Sequence, residues 1–346
     1  MTNPISYKSA GVDRDTENQT KEEMAGALET SDPRVLNKIG AFASLYDAKF
    51  SEYKHPVLVL KTEEPGTKQL LAAQHDRIES VCHDLINHLV NDCIVMGAKP
   101  LSIQDCIICG KVEKPIVVRM VKAFAEAAKN NECTLTGGET SWQPGVIPEG
   151  TYILTASIVG VVEKERVIDG SKIQEGDTVL ALASSGVHTN GISLVRKIIA
   201  EKPEIMNETI DGTPFIDAVL TPHRAYYTSL KGLFDNDGLV GLAHITGGGI
   251  EENLNRILPE GLAARIDRSL IRVHPIFAVL KKHGSLDDND MLRTFNMGVG
   301  IAAVVRSSEK EAIIAHLKGQ GVEAYEIGAI VSGNRNVEFT GALKWD

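Results

Sequence analysis

Short runs of β-branched residues alternate along the chain with segments whose apolar residues recur at helical spacing. This alternation is typical of domains in which helices pack against sheets, and it predicts an α/β (α+β) fold. The predicted strands are 56–61, 134–136, 152–163, 178–183, 263–266, 298–305 and 324–331. The predicted helices are 21–28, 77–96, 116–130, 191–201, 217–233, 249–258, 275–283 and 308–319.

The length of the chain predicts two domains, because 346 residues correspond to two units of about 150 residues each. A polar stretch at 167–177 lies near the midpoint and contains the turn pairs Asp169-Gly170 and Glu175-Gly176. We therefore predict an N-terminal domain over 1–170 and a C-terminal domain over 171–346.

The charge and cysteine content restrict the class of protein. A formal net charge of −10 disfavours nonspecific binding to nucleic acid or to an anionic membrane. No apolar stretch approaches the ~18 residues of a spanning helix, and the first residues do not resemble a signal peptide. The 5 cysteines are odd in number, which argues against a secreted disulfide framework. We expect a cytoplasmic protein.

Two loops after predicted strands carry groups suited to anions or cations, which is where α/β folds place their chemistry. The segment 62–68 ends in Gly66, Thr67 and Lys68, which offer an N–H group, a hydroxyl and an ammonium, although it lacks the upstream glycine of a Walker A loop. The segment 137–140 combines a carboxylate able to bind Mg²⁺ with two glycines. Taken alone, 137–140 is interpreted as a tight turn.

Two further loops lie in the second half. His188 lies between a predicted strand and a predicted helix, where a proton carrier can meet a substrate, while a helix N-cap explains Thr189 or Asn190 equally well. Three glycines at 247–249 precede or begin another predicted helix. They either bind a phosphate at the helix N-terminus or form a flexible connector.

In the predicted helix 77–96, one polar face carries Asp84, His88, Asn91 and Asp92. Such residues usually face solvent, and the alternative is that Asp92, near the C-terminal end, points into a site.

Three segments are more distinctive: 6–13 (SYKSAGVD), 188–197 (HTNGISLVRK) and 293–300 (RTFNMGVG). Together with Asn91-Asp92 and the 137–140 motif, they resemble, in order and nearly end to end, the phosphoribosylformylglycinamidine cyclo-ligase (aminoimidazole ribonucleotide synthetase) family. The Asn-Asp and Gly-Gly-Glu-Thr elements are shared by a wider superfamily. That superfamily includes thiamine-phosphate kinase, selenophosphate synthetase, a hydrogenase maturation factor and formylglycinamidine ribonucleotide synthetase.

The resemblance implies a fold and a reaction. The N-terminal domain would contribute strands to a barrel-like core shared with a second subunit, and the C-terminal domain would be α/β. The reaction would convert formylglycinamidine ribonucleotide and ATP into aminoimidazole ribonucleotide, ADP and phosphate in purine biosynthesis. ATP would phosphorylate the formamide oxygen, and the amidine nitrogen would then close the ring. The implied partners are a small ribonucleotide and a second copy of the chain, with ATP and Mg²⁺ as cofactors.

The resemblance also implies roles for individual residues. Glu63, Asp92 and Glu139 would bind Mg²⁺ directly or through water, because phosphoryl transfer needs a cation that neutralises phosphate oxygens. Lys68 would steady the phosphates.

Other positions would contact the substrate or the nucleotide. His188 would manage protons during ring closure, and Asn190 would orient the substrate. The residues that would hold the nucleotide or the ribonucleotide phosphate are Thr62, Glu63, Gly66, Thr67, Gly137, Gly138, Thr140, Gly247, Gly248 and Gly249.

The sequence departs from the family at a few positions. The usual T-D-G-V-G-T-K loop reads T-E-E-P-G-T-K, where Glu64 adds a negative charge and Pro65 removes a backbone donor. The usual P-T-R-x-Y has His223 in place of threonine, and a lysine often found in the first helix region is Ala25. These departures leave two alternatives open: another small-molecule kinase of the superfamily, or a noncatalytic nucleotide-binding paralogue.

Overall fold

The computed structural model describes residues 19, 23, 24, 26, 28, 30–37 and 41–345. The distinctive segment 6–13, Ala25 and half of the predicted helix 21–28 lie outside these residues. Among the helices that the structure describes, none is both long and apolar enough to cross a membrane.

The first half forms a four-stranded sheet with helices on one face. Its strands are β1 (Pro56–Glu63), β2 (Lys99–Cys109), β3 (Thr134–Trp142) and β4 (Tyr152–Glu163). The order across the sheet is β1-β4-β2-β3, with a parallel β2–β3 pair and antiparallel neighbours elsewhere. Its helices are α1 (Lys68–Gln74), α2 (Ile78–Ile94) and α3 (Lys114–Asn130).

Helices α2 and α3 cover only one face of this sheet. On the opposite face, which we call the open face, Leu58 and Leu60 are 52% and 70% exposed. The residues paired with them on β4 and β2 continue this face, because cross-strand partners point to the same side of a sheet. Leu58 and Leu60 therefore give the β1 edge of the open face an apolar surface next to water.

The strands of the second half are β5 (Thr178–Ala183), β6 (Thr209–Ile210), β7 (Thr213–Pro214), β8 (Leu239–His244), β9 (Leu262–Asp267), β10 (Val299–Val305), β11 (Ala324–Ser332) and β12 (Val337–Thr340). Six of them form one sheet in the order β12-β9-β11-β5-β10-β8. Strand β10 is buried along its whole length and β5 over all but its last residue, and both read as nearly continuous apolar runs. The helices are α4 (Ile192–Glu201), α5 (Phe215–Val219), α6 (Tyr227–Leu230), α7 (Gly249–Asn255), α8 (Pro275–Gly284), α9 (Asp288–Thr294) and α10 (Lys310–Gly319).

The mixed α/β fold predicted from the sequence is confirmed, and the chain leaves the first sheet at Glu163 and enters the second at Thr178. The proposed domain boundary at residue 170 lies in this connection. One predicted helix is wrong: 217–233 is interrupted between Val219 and Tyr227. Pro222 lies in the gap, where it offers no N–H donor and disfavours helical geometry in the residue before it.

The interpretation of 137–140 as a tight turn is also wrong, because these residues lie inside β3. The reason for a glycine at 138 is the neighbouring strand. A Cβ atom there would lie 2.3 Å from Oδ1 of Asp105 and 2.4 Å from its backbone oxygen. The Asp105 carboxyl therefore occupies the space that a side chain at 138 would need. Burial raises the pKa of Asp105 to about 7.

A buried ion pair joins the two halves. The Lys68 ammonium is fully buried and lies 2.5 Å from Oδ1 of Asp84 on α2. It also donates to the backbone oxygens of His188 at 2.7 Å and Thr221 at 3.0 Å, both in the second half. Asp84 in turn accepts the backbone N–H of His223 at 2.9 Å. Burial lowers the pKa of Lys68, an effect that the charge of Asp84 opposes.

We predict that Asp105→Asn flattens the pH dependence of stability between about pH 4 and pH 7. In this range the native Asp105 binds a proton that the unfolded chain releases, so native stability falls as pH rises. The slope removed is up to about 1.4 kcal/mol per pH unit, measured by urea unfolding across the range. The exposed control Asp290→Asn keeps the parent slope. An unchanged slope in Asp105→Asn would contradict the raised pKa.

We predict that Lys68→Met lowers the free energy of unfolding by about 3–5 kcal/mol, because it leaves the Asp84 carboxylate buried without a counter-charge. The matched control Lys197→Met, at a side chain that is 69% exposed, changes it by less than about 0.5 kcal/mol. Chemical denaturation measures both. Equal effects of the two substitutions would show that the buried pair does not hold the halves together.

Candidate active site between the two sheets

Three loops of the second half meet beside the ends of their strands. The Asn296 side chain donates to the backbone oxygens of Gly186 at 2.9 Å and Val187 at 3.1 Å. Its Oδ1 accepts the Ser184 hydroxyl at 3.1 Å. These bonds tie the distinctive segment 293–300 to the loop that carries His188.

The glycines at 247–249 lie against the same loops. A Cβ atom at Gly247 would lie 3.4 Å from Nδ2 of Asn190. Gly249 adopts a φ of +64°, and a Cβ atom there would lie 1.9 Å from the backbone oxygen of Leu292. Close backbone approach therefore explains Gly249, and Gly247 brings two predicted binding segments together at Asn190.

Four buried imidazoles, His88, His188, His223 and His244, lie where the two halves meet, and we call them the histidine cluster. His88 comes from α2, and the other three come from the second half. The His188 and His223 rings stack with centroids 3.8 Å apart, and His88 stacks on His223 at 5.1 Å. Burial lowers the pKa of His88 and holds the pKa values of His188 and His223 well below their usual range.

A continuous chain of hydrogen bonds runs through the cluster from Asp84 to Asp92. Oγ1 of Thr189 lies 2.6 Å from Oδ2 of Asp84 and 3.1 Å from Nδ1 of His223. Nε2 of His223 lies 2.7 Å from Nε2 of His244. Nδ1 of His244 lies 2.6 Å from Oδ1 of Asp92. The chain therefore links two carboxylates of α2 through three side chains of the second half.

Asp92 and Glu63 share one positive charge. The Lys61 ammonium lies 2.7 Å from Oε1 of Glu63 and 3.1 Å from Oδ2 of Asp92. Burial raises the pKa of Asp92, but the hydrogen bond and charge of His244, with the charges of His88 and Lys61, hold it well below its usual range. Asp92 is therefore a carboxylate, and its side chain is 17% exposed.

Glu139 does not join this pair within one chain. It pairs with Cys106 across β3 and β2, whereas Glu63 pairs with Ala156, which is buried under the helices. Asp105 also pairs with Ala156, so Asp105 and Glu63 point to the covered face. Cys106 is next to Asp105 in β2 and therefore points the opposite way, and its partner Glu139 points with it to the open face. The structure thus brings together two of the three predicted Mg²⁺ ligands.

Another set of ligand-capable side chains does converge. Among the described residues, His88, Asp92 and His244 are the group of three whose ligand atoms lie within 4.8 Å of one another. His88 and Asp92 lie one helical turn apart on α2, and His244 ends β8.

The 62–68 loop is tied to both halves. The Thr62 side chain lies on the open face, where its hydroxyl is 2.8 Å from that of Ser157. Gly66 has a φ of +57°, and the Thr67 hydroxyl lies 3.2 Å from that of Ser193 on α4. Lys68 uses its three hydrogens within the protein, so a contact to phosphate requires one of those bonds to break.

Two predicted catalytic residues keep an unpaired buried atom. Nε2 of His188 accepts backbone N–H groups from Ser185 at 3.1 Å and Arg224 at 3.4 Å. Its Nδ1 and the Oδ1 of Asn190 are buried without a partner among the described residues. The His188 ring is therefore a neutral Nδ1–H tautomer with a donor to spare, and Asn190 has an acceptor to spare.

Sequence reasoning gave no role to Asp84, His88 or His223. The available signal was the polar face of α2, where Asp84, His88, Asn91 and Asp92 recur at helical spacing. The expectation that such residues face solvent is wrong here, because Asp84, His88 and Asn91 are buried. Each packs against the second half, and that contact is not visible in local sequence.

Comparison with known proteins agrees with this arrangement at the level of the fold. The structure is similar to that of E. coli HypE, a hydrogenase maturation protein, with a TM-score of 0.68, 17% identity and 94% of both chains covered. It is also similar to thiamine-monophosphate kinase from Stenotrophomonas maltophilia, with a TM-score of 0.63, 15% identity, and 94% of this chain and 96% of that chain covered.

Sequence comparison identifies the family. Residues 47–162 match the family "AIR synthase related protein, N-terminal domain", and residues 174–340 match "AIR synthase related protein, C-terminal domain". A phosphoribosylformylglycinamidine cyclo-ligase from Burkholderia cenocepacia is 41% identical over 327 residues, covering 94% of this chain and 93% of that protein. One from Nitrosococcus oceani is 42% identical over 329 residues, covering 95% and 92%. The chain belongs to the phosphoribosylformylglycinamidine cyclo-ligase family.

Proposed function

We propose that this chain catalyses the ATP-dependent cyclisation of formylglycinamidine ribonucleotide to aminoimidazole ribonucleotide in purine biosynthesis. The observation that carries the proposal is 41% identity to a named cyclo-ligase over 94% of the chain. The contacts of 293–300 with the His188 loop support it, because both segments are specific to the family and meet at one site.

The reaction joins a phosphoryl transfer to a ring closure. The γ-phosphoryl group moves to the formamide oxygen, the amidine nitrogen attacks the same carbon, and the carbon–oxygen bond breaks to release phosphate. The products are the aminoimidazole ribonucleotide, ADP and phosphate, with one proton released. Phosphorylation converts a poor leaving oxygen into a good one.

His188 and Asn190 suit the substrate in this reaction. The Nδ1–H of His188 is a buried donor, and Oδ1 of Asn190 is a buried acceptor. We assign His188 to donate to an oxygen of the substrate and Asn190 to accept an amidine N–H. Both groups gain a hydrogen bond that they lack in the protein alone.

Glu63 and Asp92 fit a divalent cation, because the two carboxylates already share one positive charge, that of Lys61. Bound Mg²⁺ would neutralise phosphate oxygens during phosphoryl transfer. Glu139 remains a proposed ligand, and its position on the open face would bring it to an interface between two copies. Of the nucleotide loop, Thr62, Gly66 and Thr67 remain proposed contacts, and Pro65 offers no N–H donor.

We propose that a second copy of the chain covers the open face, which gives the barrel-like dimer that the family resemblance implies. Exposed leucines on a sheet face mark an interaction surface, since apolar area next to water is unfavourable. We also propose a cytoplasmic location. All 5 cysteines are free thiols, as in proteins of reducing compartments.

The test of the function is a mixture of the protein, Mg·ATP and formylglycinamidine ribonucleotide, with ADP and aminoimidazole ribonucleotide both measured. We expect the two products in equal amounts. No substrate-dependent ADP at high enzyme concentration would overturn the proposal. ADP formed with thiamine phosphate instead would favour a kinase of the same superfamily.

We predict that Asp92→Asn lowers kcat at least about 100-fold, because a ligand that neutralises transferred charge is lost. Because His244 also loses its counter-charge, turnover is compared with the parent at a temperature at which the variant is folded. The control Asp235→Asn, at a side chain that is 92% exposed, keeps full turnover. A parent-like kcat in Asp92→Asn would remove this carboxylate from phosphoryl transfer.

We predict that Leu60→Glu converts the dimer into a folded monomer, because each copy would bury a charge at the open face. Light scattering coupled to size-exclusion chromatography measures the mass. The control Leu270→Glu, at a leucine of the second half that is 45% exposed, remains dimeric. A monomeric parent protein, or a dimer that persists in Leu60→Glu, would contradict the proposed interface.

A further inference from the structure

Asp84 sets the direction of the hydrogen bonds in the histidine cluster. It is a carboxylate paired with Lys68, so both of its oxygens accept. The single hydroxyl hydrogen of Thr189 therefore goes to Oδ2 of Asp84, 2.6 Å away. Nδ1 of His223 lies 3.1 Å from the same hydroxyl oxygen and must donate its own hydrogen to it.

The next two bonds follow from that direction. The ring nitrogens of His223 contact only Thr189 and His244 in the described structure, and no carboxylate touches the ring. An imidazolium without a counter-charge is costly at a buried position, so His223 is neutral with a bare Nε2. His244 must then donate from its own Nε2, 2.7 Å away.

This leaves two acceptors facing each other at the end of the chain. A neutral His244 that donates from Nε2 turns a bare Nδ1 toward Oδ1 of Asp92, at 2.6 Å. Two lone pairs at that distance repel. A positive charge must therefore lie between His244 and Asp92, either as a second proton on His244 or as a metal cation.

His88 supplies a third ligand at the same point. Its Nε2 lies 3.8 Å from Oδ2 of Asp92, one helical turn away on α2. Its Nδ1 is buried with no partner among the described residues. The ligand atoms of His88, Asp92 and His244 lie within 4.8 Å of one another, so small side-chain movements bring them to coordination distance.

The donor set indicates which cation fits. Two imidazole nitrogens and one carboxylate oxygen suit Zn²⁺, Co²⁺ or Fe²⁺, whereas Mg²⁺ prefers oxygen ligands throughout. The hydrogen bond between the Nε2 atoms of His244 and His223 fixes the orientation of the His244 ring, as outer partners of metal-bound histidines do. The partly exposed Asp92 leaves a path for the ion and for a water molecule as fourth ligand.

We propose that His88, Asp92 and His244 form a binding site for a divalent transition-metal ion of the Zn²⁺ class. The ion replaces the second proton of His244, which is released to solvent. The Lys61 ammonium moves away from Asp92 and keeps its contact with Glu63. The site shares Asp92 with the proposed Mg²⁺ ligands, but it does not depend on the cyclisation reaction.

The test uses Co²⁺ alone as a spectroscopic probe, with purified full-length protein and no nucleotide, at fixed pH. We expect visible ligand-field absorption that saturates at one ion per chain and disappears when Zn²⁺ is added. His88→Gln and His244→Gln each weaken Co²⁺ binding at least about tenfold. The matched control His83→Gln, at a partly exposed histidine of the same helix, binds Co²⁺ like the parent.

A second variant keeps the test decisive if the histidine substitutions disturb folding. Lys61→Gln removes the cation that competes for Asp92, so it is expected to tighten Co²⁺ binding. No ligand-field absorption in the parent, or absorption unchanged in His88→Gln, would overturn the proposal. An intense near-ultraviolet sulfur-to-cobalt band would place the ion on a cysteine and would also overturn it.

Discussion

The buried ion pair between Lys68 and Asp84 is the interaction on which the junction of the two halves depends. Its charges are taken fully out of water, so each must find complementary groups inside the protein. Lys68 finds them in two backbone oxygens of the second half, and Asp84 finds them in Thr189 and in the backbone of His223. The pair therefore stabilises one relative position of the halves.

The same pair determines the chemistry of the junction. Because Asp84 only accepts, the hydrogen bonds through Thr189, His223 and His244 have one direction and end at Asp92 with a positive charge. Asp92 thus belongs to two sets of neighbours, the Lys61 ammonium on one side and the histidine cluster on the other. Its carboxylate links the covered face of the first sheet to the loops of the second half.

The local hydrophobic pattern of the sequence predicted the helices and strands that bury one continuous face. It did not predict side chains whose burial depends on residues distant in sequence. The bounds of β4 and β5 follow from their apolar runs. Strand β2 was not predicted, since Gln104 and Asp105 interrupt its apolar pattern. Resemblance to the family pointed to His188 and Asn190, whereas His88 and His223 were missed because their burial requires contact between residues far apart in sequence.

The most direct test of this account is a neutron diffraction map of the metal-free protein, which locates hydrogens on the cluster. We predict a hydrogen on Nδ1 of His223, none on its Nε2, and hydrogens on both nitrogens of His244. A hydrogen on Nε2 of His223, with the Thr189 hydroxyl directed at that ring, would contradict the direction set by Asp84 and the positive charge at Asp92.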